Sequence, residues 1–433
     1  MQVSVEAAQG LERKIKVAVP ADKVDVEVER RLKSMAPRVK ISGFRPGKVP
    51  FSVIQKRYSK QIRLEVLGDV INSSFYEAVA KENLRPAGTP VIEEQNDTDG
   101  GIEYTARFEI YPDIEIKGVE KISISRPKAD IAEADIDKMV ETLRTQRKEW
   151  KDAGRAAQKG DRVTCDYKGE IDGVVFEGGE GKDLSVEVGS GSMIAGFEDG
   201  LKGGEVGKYV EMDLTFPDPY HKAEIAGKPV HFTCQITKVE EPVLPEVNEE
   251  FARSFGIEDG NIATLRDDLR RNMKRELDQA VRGRVKNMVM DQLLEQNSFD
   301  VPGSMVDQEA QRLAKQMKDQ MSFQGAKGGD LAADLFKEQA KRRVALGLIL
   351  AEIIQTNQLK AAPEKVRQEV ESIASAYGDP QQVVNWYYQD RNRLQEVESM
   401  VLEDCVVEWT LERAQVTDNM MTFDEIMKPS AGG

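Results

Sequence analysis

The chain has 433 residues, 40% hydrophobic and 32% charged, with a formal net charge of −15. That length exceeds one ordinary core and implies about three globular domains with charged helix surfaces. The acidity excludes a general DNA or other nucleic-acid binder, whose phosphate affinity needs concentrated positive charge.

Met1-Gln2-Val3-Ser4-Val5-Glu6 lacks the basic start and apolar run of a signal peptide, and no stretch approaches about eighteen uninterrupted apolar residues. A cytoplasmic protein without a membrane partner is expected. Cys165, Cys234 and Cys405 are too scattered for a disulfide framework or a metal knuckle, so buried reduced thiols are expected. With His221 and His231 as the only histidines, neither a His-based triad nor a multi-histidine metal site is supported.

Alternating Leu11, Arg13, Ile15, Val17 and Val19 predict a strand that stops at Pro20. Val24, Val28, Leu32 and Met35 then recur at helical spacing. A second helix is predicted from about Ser52 to Leu84, with Ile62, Val66, Val70, Tyr76 and Val79 facing inward, ended by Pro86, Gly88 and Pro90. Strands at Pro90 to Glu93 and Ile102 to Ile110 complete a compact α+β domain.

Between its helices lies Gly43-Phe44-Arg45-Pro46-Gly47-Lys48-Val49-Pro50, too rich in glycine and proline for a helix or central strand. From Arg30 to Arg63 there are eleven Arg or Lys and no Asp or Glu. At the average acid density of this chain such a window should hold about six acids. Phe44 on this basic stem reads as a docking tip for an anionic partner.

Residues 113 to 150 form a bridge: an extended piece to Arg126-Pro127, then an amphipathic helix with Ile136, Met139, Val140 and Leu143 that ends near Trp150. Lys151 to Gly160 reads as a polar linker. From Asp161 to Val239 the pattern turns to short strands and glycine turns, a mostly β domain. Beyond Pro245 helices are predicted at Asn261 to Gln296, Pro302 to Phe323, Leu331 to Gln355, Pro363 to Tyr377 and Arg391 to Arg413. Leu265, Leu269, Met273, Leu277, Val281, Val285 and Val289 step by four along the first of these, a stripe that drifts and so serves more than one neighbour. Ten of the fifteen methionines lie in residues 246 to 433. Met273, Met288, Met317 and Met400 could fill helical core or form an adaptable binding surface; the sequence leaves both open. The run Arg270-Arg271-Asn272-Met273-Lys274-Arg275 reads as a solvated helix face.

The β domain contains Asp166-Tyr167-Lys168-Gly169, Asp172-Gly173-Val174-Val175-Phe176 and Gly196-Phe197-Glu198-Asp199-Gly200. This combination resembles FKBP-type peptidyl-prolyl isomerases over about eighty residues. The resemblance implies an antiparallel β domain with a short helix, and a proline pocket built from Tyr167, Phe176, Glu177, Met193, Ile194, Phe197, Tyr220 and Phe232. It implies catalysis without nucleophile, metal or other cofactor. Glu177 and Phe197 stand where many members of that family carry Asp and Trp.

Taken in order, a basic-loop α+β domain, an FKBP-like domain and a helical C-terminal region resemble the bacterial trigger factor family over essentially the whole chain. That resemblance implies a multidomain α+β, elongated molecule: residues 1–112 bind ribosomes, 113–150 link toward the helical region, 151–243 form the isomerase and 244–433 an all-α chaperone domain. The ribosome contact falls on Gly43, Phe44, Arg45, Pro46, Gly47 and Lys48, where Pro46 replaces a basic residue of some members. Protein and RNA at the exit tunnel, and nascent or unfolded polypeptides, are the implied partners. Self-association into a homodimer off the ribosome stays open. So does the choice between an ATP-independent chaperone with an accessory isomerase and a prolyl isomerase delivered by its flanking domains.

Overall fold

The computed structural model describes residues 2–7, 9–37, 39, 41, 44, 49–98, 101–220, 222, 224–323 and 331–428. Gly43, Arg45, Pro46, Gly47 and Lys48 of the basic loop, and His221, lie outside the described residues. Along the chain come β1 (Gln2–Ala7), β2 (Glu12–Pro20), α1 (Ala21–Met35), α2 (Phe51–Lys81), β3 (Pro86–Thr98), β4 (Gly101–Ile110), β5 (Ser123–Lys128) and α3 (Glu133–Gln146). Then follow β6 (Glu149–Asp152), β7 (Arg162–Ile171), β8 (Val174–Glu187), α4 (Phe197–Leu201), β9 (Tyr209–Thr215), β10 (Pro229–Val243) and α5 (Glu249–Ser254). The last part holds α6 (Ile262–Gln296), α7 (Gly303–Phe323), α8 (Lys337–Thr356), α9 (Pro363–Ala374), α10 (Pro380–Tyr388), α11 (Arg391–Leu411), β11 (Gln415–Met420) and α12 (Phe423–Met427). The chain is thus a multidomain α+β protein. Its C-terminal region is helical apart from β11.

Two compact units result, Met1–Pro127 with Arg282–Asn419, and Lys128–Val281 with Met420–Gly433. In the first, an antiparallel sheet in the order β1-β2-β4-β3 packs one face against α1 and α2. β2 alternates as its sequence demands, burying Ile15, Val17 and Val19, and α1 buries Val24, Val28 and Leu32. Pro20 and Pro50 stand immediately before α1 and α2, where their missing N–H costs no helical hydrogen bond. β3 starts at Pro86, earlier than its hydrophobic run suggests, because a register break between Ala87 and Val91 accommodates Gly88 and Pro90.

The inward face of α2 differs from the one predicted. Ile62, Val66 and Val79 are buried, but Tyr76 is 52% exposed and Phe75 is fully buried, with Leu67, Ile71 and Ala78 beside it. Steps of four overshoot each turn by about 40°, so the stripe passes to the neighbouring row within a few turns. Phe75 meets Phe108 edge-on at 5.1 Å, and the Tyr104 hydroxyl, 2.9 Å from Ser74 Oγ, is satisfied beneath them.

Helix α7 docks on the same sheet through charge. The Glu109 carboxylate accepts the N–H groups of Gly303 (2.9 Å) and Ser304 (2.7 Å) at the start of α7, and the Ser304 hydroxyl donates to the Ala87 carbonyl at 2.8 Å. Burial alone would raise the pKa of Glu109; the hydrogen bonds from Ser304 and Gly303 hold it below its ordinary value.

In the second unit β10 is the spine of a five-stranded antiparallel sheet in the order β6-β10-β7-β8, with β9 also paired to β10. Trp150, expected at a helix end, lies in strand β6 opposite Pro242, and Asp152 faces Glu240, so the expected linker begins inside the sheet. The indole of Trp150 carries Lys148 Nζ at 4.6 Å and the Arg162 guanidinium at 4.7 Å from its centroid, which favours the strand. A separate core joins α3, α5, α6 and α12 through Ile136, Phe251, Leu265, Met273, Leu277 and Phe423. Farther along α6, Val285, Val289 and Leu293 are buried too, so the drifting stripe does serve more than one neighbour. Met273 is core, whereas Met317 (41%) and Met400 (44%) are exposed. Cys165 and Cys234 are free and buried; Cys405, also free, is only half-buried.

Replacement of Phe75 by Ala should destabilise the full chain by about 3–5 kcal/mol in the transition that melts the N-terminal sheet, and Tyr76→Ala by less than about 1 kcal/mol. Urea midpoints of the two variants measure this; equal shifts would place both rings in the core.

Candidate active site in the β domain

An aromatic cavity of the β domain, about 180 Å³, is lined by all eight residues implied by the FKBP resemblance: Tyr167, Phe176, Glu177, Met193, Ile194, Phe197, Tyr220 and Phe232. They arrive from six segments: β7, β8, the turn before α4, α4 itself, the β9–β10 connection and β10. Phe232 is the hub. Its ring stands perpendicular to Phe197 at 5.3 Å and near-perpendicular to Phe176 at 6.5 Å, with Tyr167 tilted at 6.4 Å. Edge-to-face contacts of this kind fix ring orientation as well as burying area.

Two glycines make this stacking possible. A Cβ on Gly169 would lie 2.6 Å from the Phe232 ring, and one on Gly181 2.7 Å from the Tyr167 ring. The glycine of the Asp166-Tyr167-Lys168-Gly169 motif is therefore a steric requirement of the pocket floor. On β8, pairing jumps from Glu170 opposite Val175 to Lys168 opposite Glu180. The extra β8 residues bulge outward and present Phe176, Glu177 and Gly178 at the mouth. Gly178 has φ +80°, and its carbonyl accepts from the Tyr167 hydroxyl at 3.4 Å.

Sequence reasoning passed over Leu184, Phe216, Lys222 and Ile225, which also line the cavity. Phe216 is 4% exposed and edge-on to Phe176 at 5.6 Å. Its one sequence signal is an aromatic at a strand end before Pro217. Glu177 is at the rim with its side chain exposed, and its main-chain carbonyl accepts the Lys222 ammonium at 3.0 Å.

Glu198 was legible only as a letter in the Gly196-to-Gly200 motif, yet it shapes the pocket. Its carboxylate is buried and accepts main-chain N–H groups from Gly189 (2.8 Å), Gly191 (2.9 Å), Ser192 (2.8 Å) and Met193 (3.1 Å), together with the hydroxyls of Ser190 (3.0 Å) and Ser192 (3.3 Å). Burial pushes its pKa up, but the hydrogen bonds from Gly191, Met193, Ser190 and Ser192 outweigh it and bring the value down to about 2. The turn that delivers Met193 and Ile194 is thus wound around one anion.

Because the folded pKa of Glu198 lies below its ordinary value of 4.5, its contribution is complete above that pH and is lost as pH falls toward 2. Glu198→Gln should lower β-domain stability at neutral pH by about 3 kcal/mol and flatten the decline across that acidic window. Urea unfolding of the full chain at a series of pH values tests this; an unchanged profile would refute the role given to the carboxylate.

Comparison with known proteins places this geometry in a family. Residues 1–143 match the model of the bacterial trigger factor protein, residues 261–412 that of its C-terminus, and residues 153–237 that of FKBP-type peptidyl-prolyl cis-trans isomerases. The trigger factor of Pseudomonas fluorescens (strain Pf0-1) is 46% identical over 430 residues, 99% of this chain and 98% of the relative. Those of Stutzerimonas stutzeri (strain A1501) and Thioalkalivibrio sulfidiphilus (strain HL-EbGR7) are 45% and 44% identical, covering 99% and 100% of this chain and 99% of each relative. A solved structure described as "Promiscuous Substrate Recognition in Folding and Assembly Activities of the Trigger Factor Chaperone" covers 95% of this chain and 99% of its own, at 16% identity and a TM-score of 0.49, and adds no weight. The full-length relatives decide the matter: the chain belongs to the trigger factor family, with an FKBP-type isomerase domain in its middle.

Proposed function

We propose that this chain is a cytoplasmic, ATP-independent chaperone that binds at the ribosomal exit tunnel, shelters emerging polypeptide and catalyses cis/trans isomerisation of X-Pro bonds. The observation that carries the catalytic reading is the aromatic cavity itself. Rotation about an amide faces a barrier of about 18–20 kcal/mol because resonance must be broken, and it requires no proton transfer. An apolar pocket favours the twisted amide, which has lost part of its charge separation, over the planar one. Phe197, Phe216 and Phe232 supply the dry walls, Met193 and Ile194 one edge, and Tyr167, Phe176 and Tyr220 the mouth. Glu177 is assigned to the rim.

We assign the isomerase to residues 151–243, the ribosome contact to 1–112, the chaperone surface to 244–433 and the connection to 113–150. For the ribosome contact, Phe44 is 41% exposed while Val39 and Ile41 beside it are buried, which suits an aromatic tip on an anchored base. Four cations of the acid-free window are neutralised from outside it: Arg30 by Glu27, Arg31 by Asp69, Lys33 by Glu29 and Arg63 by Asp25. Lys56, Arg57 and Lys60 at the start of α2 are exposed and form no ion pair among the described residues. Uncompensated charge therefore collects on the turns of α2 nearest the loop, as an anionic partner would require. Exposed Met317, Phe323, Trp386, Tyr388 and Met400 give the helical region adaptable apolar surface for unfolded chains.

Two measurements test the reading. Tyr220→Ala and Phe232→Leu should each lower kcat/KM for X-Pro isomerisation at least about tenfold while the chain stays folded by circular dichroism; wild-type rates in both would remove the cavity from catalysis. Reversing charge at Arg45 and Lys48 together should abolish co-sedimentation with ribosomes, and the wild-type interaction should weaken steeply with salt. Salt-independent binding by both proteins would refute the electrostatic contact.

A further inference from the structure

Among the described residues two charged side chains reach the aromatic cavity, Glu177 and Lys222, and amide rotation uses neither charge. Lys222 belongs to the stretch between β9 and β10 that also brings Phe216, Tyr220 and Ile225 to the cavity. The two ends of this stretch are pinned: the Phe216 N–H donates to the Lys228 carbonyl at 3.1 Å, and both Phe216 and Ile225 are buried. Between them Tyr220 is only half-buried and leans on Phe216 at 4.9 Å.

Lys222 is tied at both its backbone and its side chain. Its carbonyl accepts the Ile225 N–H at 3.1 Å, which seats Ile225 in the wall. Its ammonium crosses the mouth to the Glu177 carbonyl at 3.0 Å. The acceptor lies in the β8 bulge, where the next carbonyl, that of Gly178, is held by the Tyr167 hydroxyl. The bulge is thus gripped from β7 on one side and from the Tyr220-bearing stretch on the other.

We propose that Lys222 is a positioning residue of the isomerase, a latch that fixes the Tyr220-bearing stretch against the β8 bulge and so sets the width of the pocket mouth. The proposal rests on the reading of this cavity as the isomerase site. The acceptor is a main-chain oxygen, so what matters is a long cationic donor at position 222, not a charge pair with the Glu177 side chain. Arginine can supply such a donor; methionine keeps the apolar stem and removes it. Because the mouth grips the substrate in ground and transition states alike, losing the latch acts on binding.

The test uses the full-length protein and a protease-free assay on the tetrapeptide Ala-Phe-Pro-Phe. Lys222→Met should lower kcat/KM about fivefold, through KM with kcat within about twofold of wild type, and Lys222→Arg should restore kcat/KM to within about twofold. Wild-type kcat/KM in Lys222→Met, a loss carried by kcat alone, or Lys222→Arg as impaired as Lys222→Met would each overturn the latch. Tyr220→Ala and Phe232→Leu measured alongside separate the two readings: wild-type activity in both would remove the cavity from catalysis, whereas their loss beside an unaffected Lys222→Met would remove only the latch.

Discussion

A carboxylate withdrawn from water is stable only while its hydrogen bonds are made, and the pocket of the β domain is built on that condition. Glu198 collects six donors from Gly189 to Met193, so the turn preceding α4 has little freedom to relax without stranding a charge. The aromatic wall inherits this rigidity, because Phe197 precedes Glu198 and Met193 and Ile194 lie within the turn. A reaction that needs shape rather than proton transfer is served by such an arrangement: the charge is spent on holding the frame and kept out of the cavity.

The same economy governs the N-terminal region. The acid-free window looks like one block of positive charge in the sequence, yet acids just outside it pair with the cations at its two ends. Among the described residues, Lys56, Arg57 and Lys60 in the first turns of α2 form no ion pair. Ion pairs at exposed positions add little stability. Their effect here is to narrow the part of the surface that presents positive charge.

How much could be read beforehand follows from which signals are local. β2 and α1 were legible because alternation and helical spacing are written in adjacent residues, and the eight pocket residues were legible through the FKBP resemblance that three local motifs carry. The face of α2 was misjudged between Tyr76 and Phe75, since a stripe stepping by four crosses from one row to the next. The short elements β1, α5, α10, β11 and α12 were missed; each is too brief to show a clear period, and β11 is fixed by its pairing with β5. Phe216, Lys222 and the role of Glu198 were hidden for a different reason. Their meaning lies in contacts across turns, and nothing in the spacing of Lys222 to Glu177 marks a hydrogen bond over 45 residues.

The pairing of β6 with the last residues of β10 has a consequence for how such a chain can be assembled. Trp150 opposite Pro242 and Asp152 opposite Glu240 bring the entrance and exit of the β domain side by side, zipped into one ladder. A segment whose two ends meet can be spliced into a host at a single surface point, since the host need bridge only one strand spacing and the loop closure is already made within the guest. The β domain therefore has the architecture of an insert, whose two chain ends meet within one ladder.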